Sequence, residues 1–516
     1  MQPIRLIKGF LTVGVWTLAS RILGFARDMM IASYLGAGPV AEAFLVAFSL
    51  PNMFRRFFAE GAFNMAFVPM FSKKLEGGED ATGFARDAMS ALASVLIVLT
   101  LVALAAMPWL VLAMASGFAG DERFALATSY GRIAFPYILF ISLAALLSGV
   151  LNAAGRFAAA AAAPVMLNIV FVCAMLVASR VGWPIGDALA WSVPVAGVAQ
   201  LALVWIAARR AGFHIHPHWP RLTPEMKRLA RIAAPAMLAG GVVQVNLLVG
   251  RQVASHFEGA IAWLNYADRL YQLPLGVVGI AIGVVLLPDL SRKLRAGDTD
   301  GSRHSLSRAG EFALALTVPS AIALAVIALP ISSVLYERGR FTSADTLATA
   351  WAVAIYGLGL PAFVLQKVLQ PLFFARENTR SPFYYALAAM VVNAVIAVGL
   401  APVLGYLSAA VATTLAGWVM VFQLWRGSRA MGEAAQFDSR FLSRLPRIVA
   451  AALFMGVCLW GAAWLMDGAL NARGLRYLAL AGLIGLGIVA YFAFGGLIGA
   501  FRLAEFKSAL KRAPKA

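Results

Sequence analysis

Arg21, Arg27 and Asp28 lie within one short apolar stretch, Ser20-Arg-Ile-Leu-Gly-Phe-Ala-Arg-Asp28. The next stretch, residues 41–61, carries Glu42, Asn52, Arg55, Arg56 and Glu60, with Pro51 among them. Much later, Tyr266-Ala-Asp-Arg-Leu-Tyr-Gln-Leu-Pro274 sets Asp268 beside Arg269, shortly after Arg251. An ionised side chain in hydrocarbon costs at least roughly 2.5–3.5 kcal/mol, so charges clustered this way are not expected to face lipid. Arginine stays ionised and presents a planar fork that matches phosphate oxygens. These residues therefore suit electrostatic capture of a polyanion, such as a diphosphate, in a polar cavity inside a membrane. The competing reading is an ion-pair network that locks helices, for which Arg27–Asp28 and Asp268–Arg269 are the natural members.

The spacing adds two expectations about backbone. Arg21 and Arg27 are six residues apart, which leaves them about 120° apart on a straight helix. Gly24 between them permits a bend that would bring them together. Pro51 removes a backbone donor and is expected to break its helix in mid-membrane, with Asn52 at the break and Arg55 one turn later.

The elements that must position these residues are membrane helices. The 516 residues are 61% hydrophobic and only 13% charged, against about 25% charged in ordinary soluble domains. Residues 88–120, 133–155, 157–179, 312–336, 381–425 and 477–501 hold no Asp, Glu, Lys or Arg, and a spanning helix needs roughly 20 mostly apolar residues. The pattern predicts 14 spans near 10–35, 41–70, 86–116, 124–152, 158–180, 186–209, 230–256, 260–291, 309–336, 345–375, 382–401, 405–426, 444–466 and 476–501. The first run holds Arg21 and Arg27 and lacks a small-residue cleavage site, so it reads as a span rather than a secretory signal. With the N-terminus inside, the loops on that side and the basic tail from Arg502 to Lys515 hold most of the Lys and Arg outside the spans. The positive-inside rule then puts both termini in the cytoplasm.

Other chemistry is weaker. The net charge of +19 lies mostly in short loops between spans, which argues against a nucleic-acid partner. Cys173 and Cys458 sit alone in apolar runs and suggest packing. His214-Ile-His-Pro-His218 lacks a neighbouring Cys or acid pair and reads as an interfacial loop beside Trp219, resting on anionic lipid headgroups, rather than as a metal site. No catalytic or nucleotide-binding motif appears in a usable context, and no cofactor is implied.

An internal repeat organises the chain. Pro69-Met-Phe-Ser-Lys-Lys-Leu-Glu-Gly-Gly-Glu79 matches Pro288-Asp-Leu-Ser-Arg-Lys-Leu-Arg-Ala-Gly-Asp298 at an offset of 219. Pro136 and Asn168 match Pro361 and Asn393 at an offset of 225. The expected organisation is an N-lobe at 1–215 (spans 1–6), a C-lobe at 216–435 (spans 7–12), and spans 13–14 with a cytoplasmic tail at 436–516. An even number of spans per half makes this a parallel repeat about an axis along the membrane normal, with the substrate site between the halves.

SRILGFARD at 20–28, AFLVAFSLPNMFRRFFAEGAFNMAFVP at 43–69 and YADRLYQLP at 266–274 resemble the lipid II flippase family (MurJ, or MviN), across nearly the whole chain. The resemblance implies the multidrug/oligosaccharidyl-lipid/polysaccharide exporter superfamily: an all-α polytopic protein with two six-helix lobes around a central cavity. It implies a transporter rather than an enzyme, in the bacterial inner membrane. Its substrate would be an undecaprenyl-diphosphate-linked glycopeptide lipid, moved to the outer leaflet by alternating access for cell wall synthesis. Membrane lipids and cell wall synthesis proteins are the other implied partners. Matching motifs place cavity arginines at Arg21, Arg27, Arg55 and Arg269, with polar neighbours at Asp28, Asn52 and Asp268. Glu42 stands where the family commonly has Asp; Ser49 and Gln272 stand where some members have Lys and Glu. A groove for the lipid tail is implied on spans 13 and 14, where Gly456, Gly461, Gly482, Gly485 and Gly487 lie. An exporter of another lipid-linked oligosaccharide, or of a drug, is the alternative within the same fold.

Overall fold

The computed structural model describes the backbone of residues 3–56, 62–472 and 474–501, and their side chains except at 3–11, 62, 65, 234–247, 277 and 279–285. Glu60 and the basic tail beyond Phe501 lie outside the described residues. Two compact units divide the chain, Met1–Ala262 and Trp263–Ala516. This division places span 7 in the first packing unit, whereas the sequence repeat begins near 216.

The first unit holds α1 (Pro3–Leu35), α2 (Pro39–Arg55), α3 (Ala62–Glu76), α4 (Ala81–Ala105), α5 (Met107–Met114), α6 (Glu122–Ala134), α7 (Tyr137–Ala153), α8 (Ala158–Val181), α9 (Ile185–Arg210) and α10 (Pro224–Ser255). The next helix, α11 (Ala260–Arg295), begins at its end. The second unit continues with α12 (Thr299–Val326), α13 (Ala328–Tyr336), α14 (Ser343–Phe374), α15 (Arg380–Leu404), α16 (Leu407–Ser428), α17 (Ser439–Leu465), α18 (Asp467–Asn471) and α19 (Arg476–Leu497). Among the described residues there is no strand.

Among those residues, ten helical stretches are long and apolar enough to cross a membrane. Their outward faces are as apolar as their packed ones. Only 17% of the most apolar part of α15 is buried within the protein, and Val395 and Val398 on it are 66% and 63% exposed. In water each such side chain would forfeit much of the roughly 1.5–3 kcal/mol that burial of a large aliphatic group supplies. Lipid removes that cost, and the protein is a multi-pass membrane protein.

The order of elements recurs. The α4–α5 pair answers to α12–α13, the α6–α7 pair to the single proline-containing α14, α8 to α15 and α9 to α16. The turns agree in detail. Gly78 and Gly297 take left-handed backbone (φ 68° and 70°), which glycine adopts without strain. Asp80 then accepts from the Gly83 amide at 2.7 Å to cap α4, and Asp298 accepts from the Gly301 amide at 2.8 Å to cap α12. The first copy has one extra residue between its glycine and its cap, so the aligned Glu79 is not the cap. Asn168 and Asn393 are both buried, at 4% and 1% exposure, on the corresponding helices α8 and α15.

In the second unit α17 and α19 pack on α12 and α13 through Ile327, Val334, Ala452, Leu459, Leu483 and Tyr491. The Tyr491 hydroxyl donates to the Ala315 carbonyl at 2.7 Å. A polar clamp closes one end: Arg308 meets Asp438 at 2.5 Å, and Glu311 accepts from Arg308, Arg440 and Arg444. Burial alone would raise the Asp438 carboxyl. The Phe441 amide, which it caps at 2.7 Å, and Arg308 outweigh that and hold it below the ordinary aspartate range. Because the folded value is the lower one, this stabilisation is complete above the unfolded value, about 4, and is lost as pH falls through the folded value. Thermal unfolding in detergent should therefore show an acid limb below about pH 4 that Asp438→Asn makes shallower.

Candidate functional site

Helix α1 runs unbroken past Gly24. Arg21 is exposed, whereas Arg27 is only 6% exposed and reaches Asn168 on α8. Gly24 faces Asn168 of α8: a Cβ there would lie 3.5 Å from the Asn168 amide nitrogen, an ordinary contact distance. Asn168 donates to the Ser20 carbonyl at 3.0 Å and accepts from Arg27 Nη1 at 3.0 Å. Arg27 also donates through Nε (3.0 Å) and Nη2 (2.7 Å) to Asp28 Oδ1. Its guanidinium carbon lies 5.4 Å from the Phe171 ring centroid. Thus Arg27 is held by a carboxylate, an amide and an aromatic face at once, with Asp28 itself 8% exposed.

The second span differs from expectation. Helix α2 continues through Pro51 to Arg55 instead of breaking at the proline. Proline withholds the donor that the Ala47 carbonyl would use; the helix tolerates that gap, and short polar side chains bond other carbonyls of the same turn. Asn52 donates its amide to the Phe48 carbonyl at 2.7 Å, and Ser49 its hydroxyl to the Leu45 carbonyl at 2.6 Å. Arg55 is half-buried at the last turn and Arg56 is exposed. At the other end of α2, Glu42 is fully buried. It accepts from Arg123 Nη1 and from the Ile261 amide, each at 3.0 Å. Arg123 in turn reaches Asp121 at 2.6 Å and lies 4.4 Å over Phe118. Burial opposes ionisation of Asp121, but Arg123 holds its carboxyl below the usual range.

In the second unit Asp268 and Arg269 are half-buried on α11. Gln272, one turn on, donates its amide to Asp268. An ionised glutamate could not donate there, so this chain's glutamine adds a partner for the carboxylate. Tyr271 lies beside it, buried against Tyr356 and Phe363 at 5.1 and 5.7 Å between centroids.

The sequence reading found Asn168 only as a repeat marker and Arg123 only as a loop charge. An asparagine inside an otherwise uncharged span was the available signal for the first. For Arg123 the signal was its place directly after two acids, Asp121 and Glu122. The histidines separate in space: His218 pairs with Asp87 at 2.8 Å while His214 faces the Gly212 carbonyl. The glycines of α17 and α19 also divide. A Cβ at Gly456 would strike Ile322 at 2.6 Å and one at Gly487 would press on Leu459 at 3.0 Å, but Gly461 and Gly485 face open space.

Comparison with known proteins agrees with these features. The family model described as "Lipid II flippase MurJ" matches residues 31–475. The chain is 44% identical over 526 residues to the probable lipid II flippase MurJ of Rhizobium meliloti (strain 1021), covering 99% of this chain and 97% of that one. It is 45% identical over 519 residues to the protein of that description from Rhizobium tropici, covering 98% and 97%. A solved structure described as "Lipid II flippase MurJ, inward closed conformation" matches with a TM-score of 0.79 at 24% identity, over 95% of this chain and 98% of that one. An inward-facing multidrug resistance MATE family transporter of the MOP superfamily matches with a TM-score of 0.66 at 13% identity, over 80% and 95%. These last two likenesses are of fold. The full-length relatives and the family match decide the matter: the chain belongs to the lipid II flippase MurJ family.

Proposed function

We propose that this protein flips a lipid-linked peptidoglycan precursor, undecaprenyl-diphosphate-linked lipid II, from the cytoplasmic to the outer leaflet of the bacterial inner membrane by alternating access. The observation that carries this reading is family membership along the full chain. Cationic residues at corresponding places in the two repeats support it. Spans 1 and 2 of the first repeat hold Arg21, Arg27 and Arg55, and spans 7 and 8 of the second hold Arg251 and Arg269. Charged residues within the first two spans of each repeat fit a substrate site between the halves near the midplane.

In this reading 14 spans form two six-helix lobes with both termini cytoplasmic, and spans 13 and 14 are added to the second lobe. Arg21, Arg55 and Arg269 supply positive charge to the diphosphate, and Asp28, Asn168 and Phe171 fix the direction of Arg27. Asp268 and Gln272 orient the α11 site. Asn52 turns back to the Phe48 carbonyl beside Pro51. Gly461 and Gly485 leave room on α17 and α19 for a lipid tail. The substrate neutralises the arginines and favours inside closure; after release, the inside-negative potential draws the cationic cavity back, at about 2.3 kcal/mol per charge per 100 mV. No covalent bond changes.

The test is lipid II translocation in cells depleted of their own flippase and supplied with this chain. Outer-leaflet lipid II and growth are expected with the wild type and are lost with Arg269→Ala at equal expression. Failure of the correctly inserted wild type would redirect the reading to another lipid-linked glycan.

A further inference from the structure

The end of α13 meets the start of α19 through two arginines that have no carboxylate partner among the described residues. Arg338, just past α13, donates through Nη2 to the Val334 carbonyl at 3.0 Å and to the Leu335 carbonyl. Arg476, the first residue of α19, donates to the Glu337 carbonyl at 3.2 Å and to the Tyr477 hydroxyl at 3.4 Å. Both guanidiniums approach one ring: their carbon atoms lie 5.8 and 5.2 Å from the Tyr477 centroid. By contrast Arg27, Arg123, Arg308 and Arg444 each meet a carboxylate.

Helix capping explains one edge of Arg338, because a cation satisfies the last carbonyls of a helix and its negative end. It does not explain a second guanidinium on the same tyrosine. Arg338 and Arg476 are both half-buried. Burial first, and then the like charge of Arg476, hold the Arg338 guanidinium below the ordinary arginine range. Arg476 also stands at the positive end of the dipole of a 22-residue helix, where a cation is disfavoured and an anion favoured. An anion would relieve both repulsions. The planar fork of arginine fits phosphate oxygens, and one phosphate can accept from two such forks.

The surroundings indicate what carries the phosphate. Leu475 and Leu478 are exposed beside the arginines, as are Trp464 and Leu465 at the end of α17. Charged groups and a tyrosine at the edge of exposed apolar side chains are the pattern of a membrane–water interface. In the topology proposed above, that interface is the outer one.

We infer that Arg338, Arg476 and Tyr477 bind the phosphate of a lipid headgroup in the outer leaflet, at the edge of the two added helices. The inference rests on the proposed topology and not on the identity of the transported lipid. Two sources could supply the group: an anionic phospholipid, or the diphosphate of an undecaprenyl carrier.

Photo-capture separates them. A p-benzoylphenylalanine substituted at Leu475 takes hold of the lipid beside Arg476, in vesicles of phosphatidylcholine holding either phosphatidylglycerol or undecaprenyl diphosphate. Anionic lipid should be captured beyond its share of the bilayer. Arg338→Gln with Arg476→Gln should cut that capture about thirtyfold, about fivefold for each charge lost. Capture of both anionic lipids supports a general headgroup site; capture of the undecaprenyl lipid alone supports a site for the carrier. Capture in proportion to bulk composition would overturn the site. So would capture by the unsubstituted arginines that is indifferent to salt, since exposed charges are screened; this arm does not depend on the double variant folding. In spheroplasts, Leu475→Cys in a chain with Cys173 and Cys458 replaced by serine should react with a membrane-impermeant maleimide. No reaction would put the site on the inner face and overturn the outer assignment. Because capture needs no transport, a chain that captures anionic lipid yet moves no lipid II would disprove the proposed substrate and leave this site standing.

Discussion

Arg27→Ala should lose transport and stability together, whereas Arg27→Ala combined with Asp28→Ala should regain stability and remain inactive. The single change deletes a guanidinium that meets Asp28 at 2.7 Å, Asn168 at 3.0 Å and the Phe171 ring. It leaves a carboxylate that is only 8% exposed without that partner. Breaking a buried pair in this way costs about 3–5 kcal/mol, while removing both partners is often close to neutral. Thermal unfolding of the purified variants reads the first quantity, and outer-leaflet lipid II in complemented cells reads the second. The combination separates the two readings that the sequence left open. If the pair only locks α1 to α8, the double variant recovers both stability and transport. If Arg27 also meets the diphosphate, stability returns without transport. Recovery of transport would remove Arg27 from the binding site and leave that task to Arg21, Arg55 and Arg269.

What the sequence revealed and what it hid follow one physical division. Long uncharged runs are properties of consecutive residues, so the apolar helical stretches and their order were legible, although runs such as 86–116 and 309–336 divide into two helices each. So was the duplication, because turns capped by Asp80 and Asp298 need the same few residue types in both copies. The direction of a side chain was not legible. Gly24 suggested a bend from composition alone, but the helix continues through it, and the side chain it faces, Asn168, lies far along the chain. Pro51 suggested a break, yet the helix continues through it to Arg55: one missing donor did not end a helix whose neighbouring residues keep their bonds. Glu42 was grouped with Arg27 because both are charges in the first hairpin. The structure places it instead with Arg123 and Ile261, partners that only the fold brings to it. Charge type could be read from the sequence; pairing could not.

Glu311→Ala should loosen the two added helices without disturbing the first unit. Glu311 accepts from Arg308, Arg440 and Arg444, and Arg444 is only 7% exposed. Its removal takes the shared carboxylate from three guanidiniums and leaves the Arg308–Asp438 pair, so attraction weakens at the end where α17 enters. The local cost is expected at about 3–5 kcal/mol. The apolar packing of Leu459, Leu483 and Tyr491 on α12 and α13 remains, so the change should appear as partial opening rather than global unfolding. Hydrogen exchange should accelerate along α17 and α19 and stay unchanged in α4 and α8. A uniform increase across both units would mean that the clamp supports the whole fold. If the tail of the lipid lies along α17 and α19, transport falls in this variant although Arg27, Arg55 and Arg269 are intact. If transport survives while α17 and α19 exchange freely, the tail does not depend on them, and the glycines at 461 and 485 have no part in carrying it.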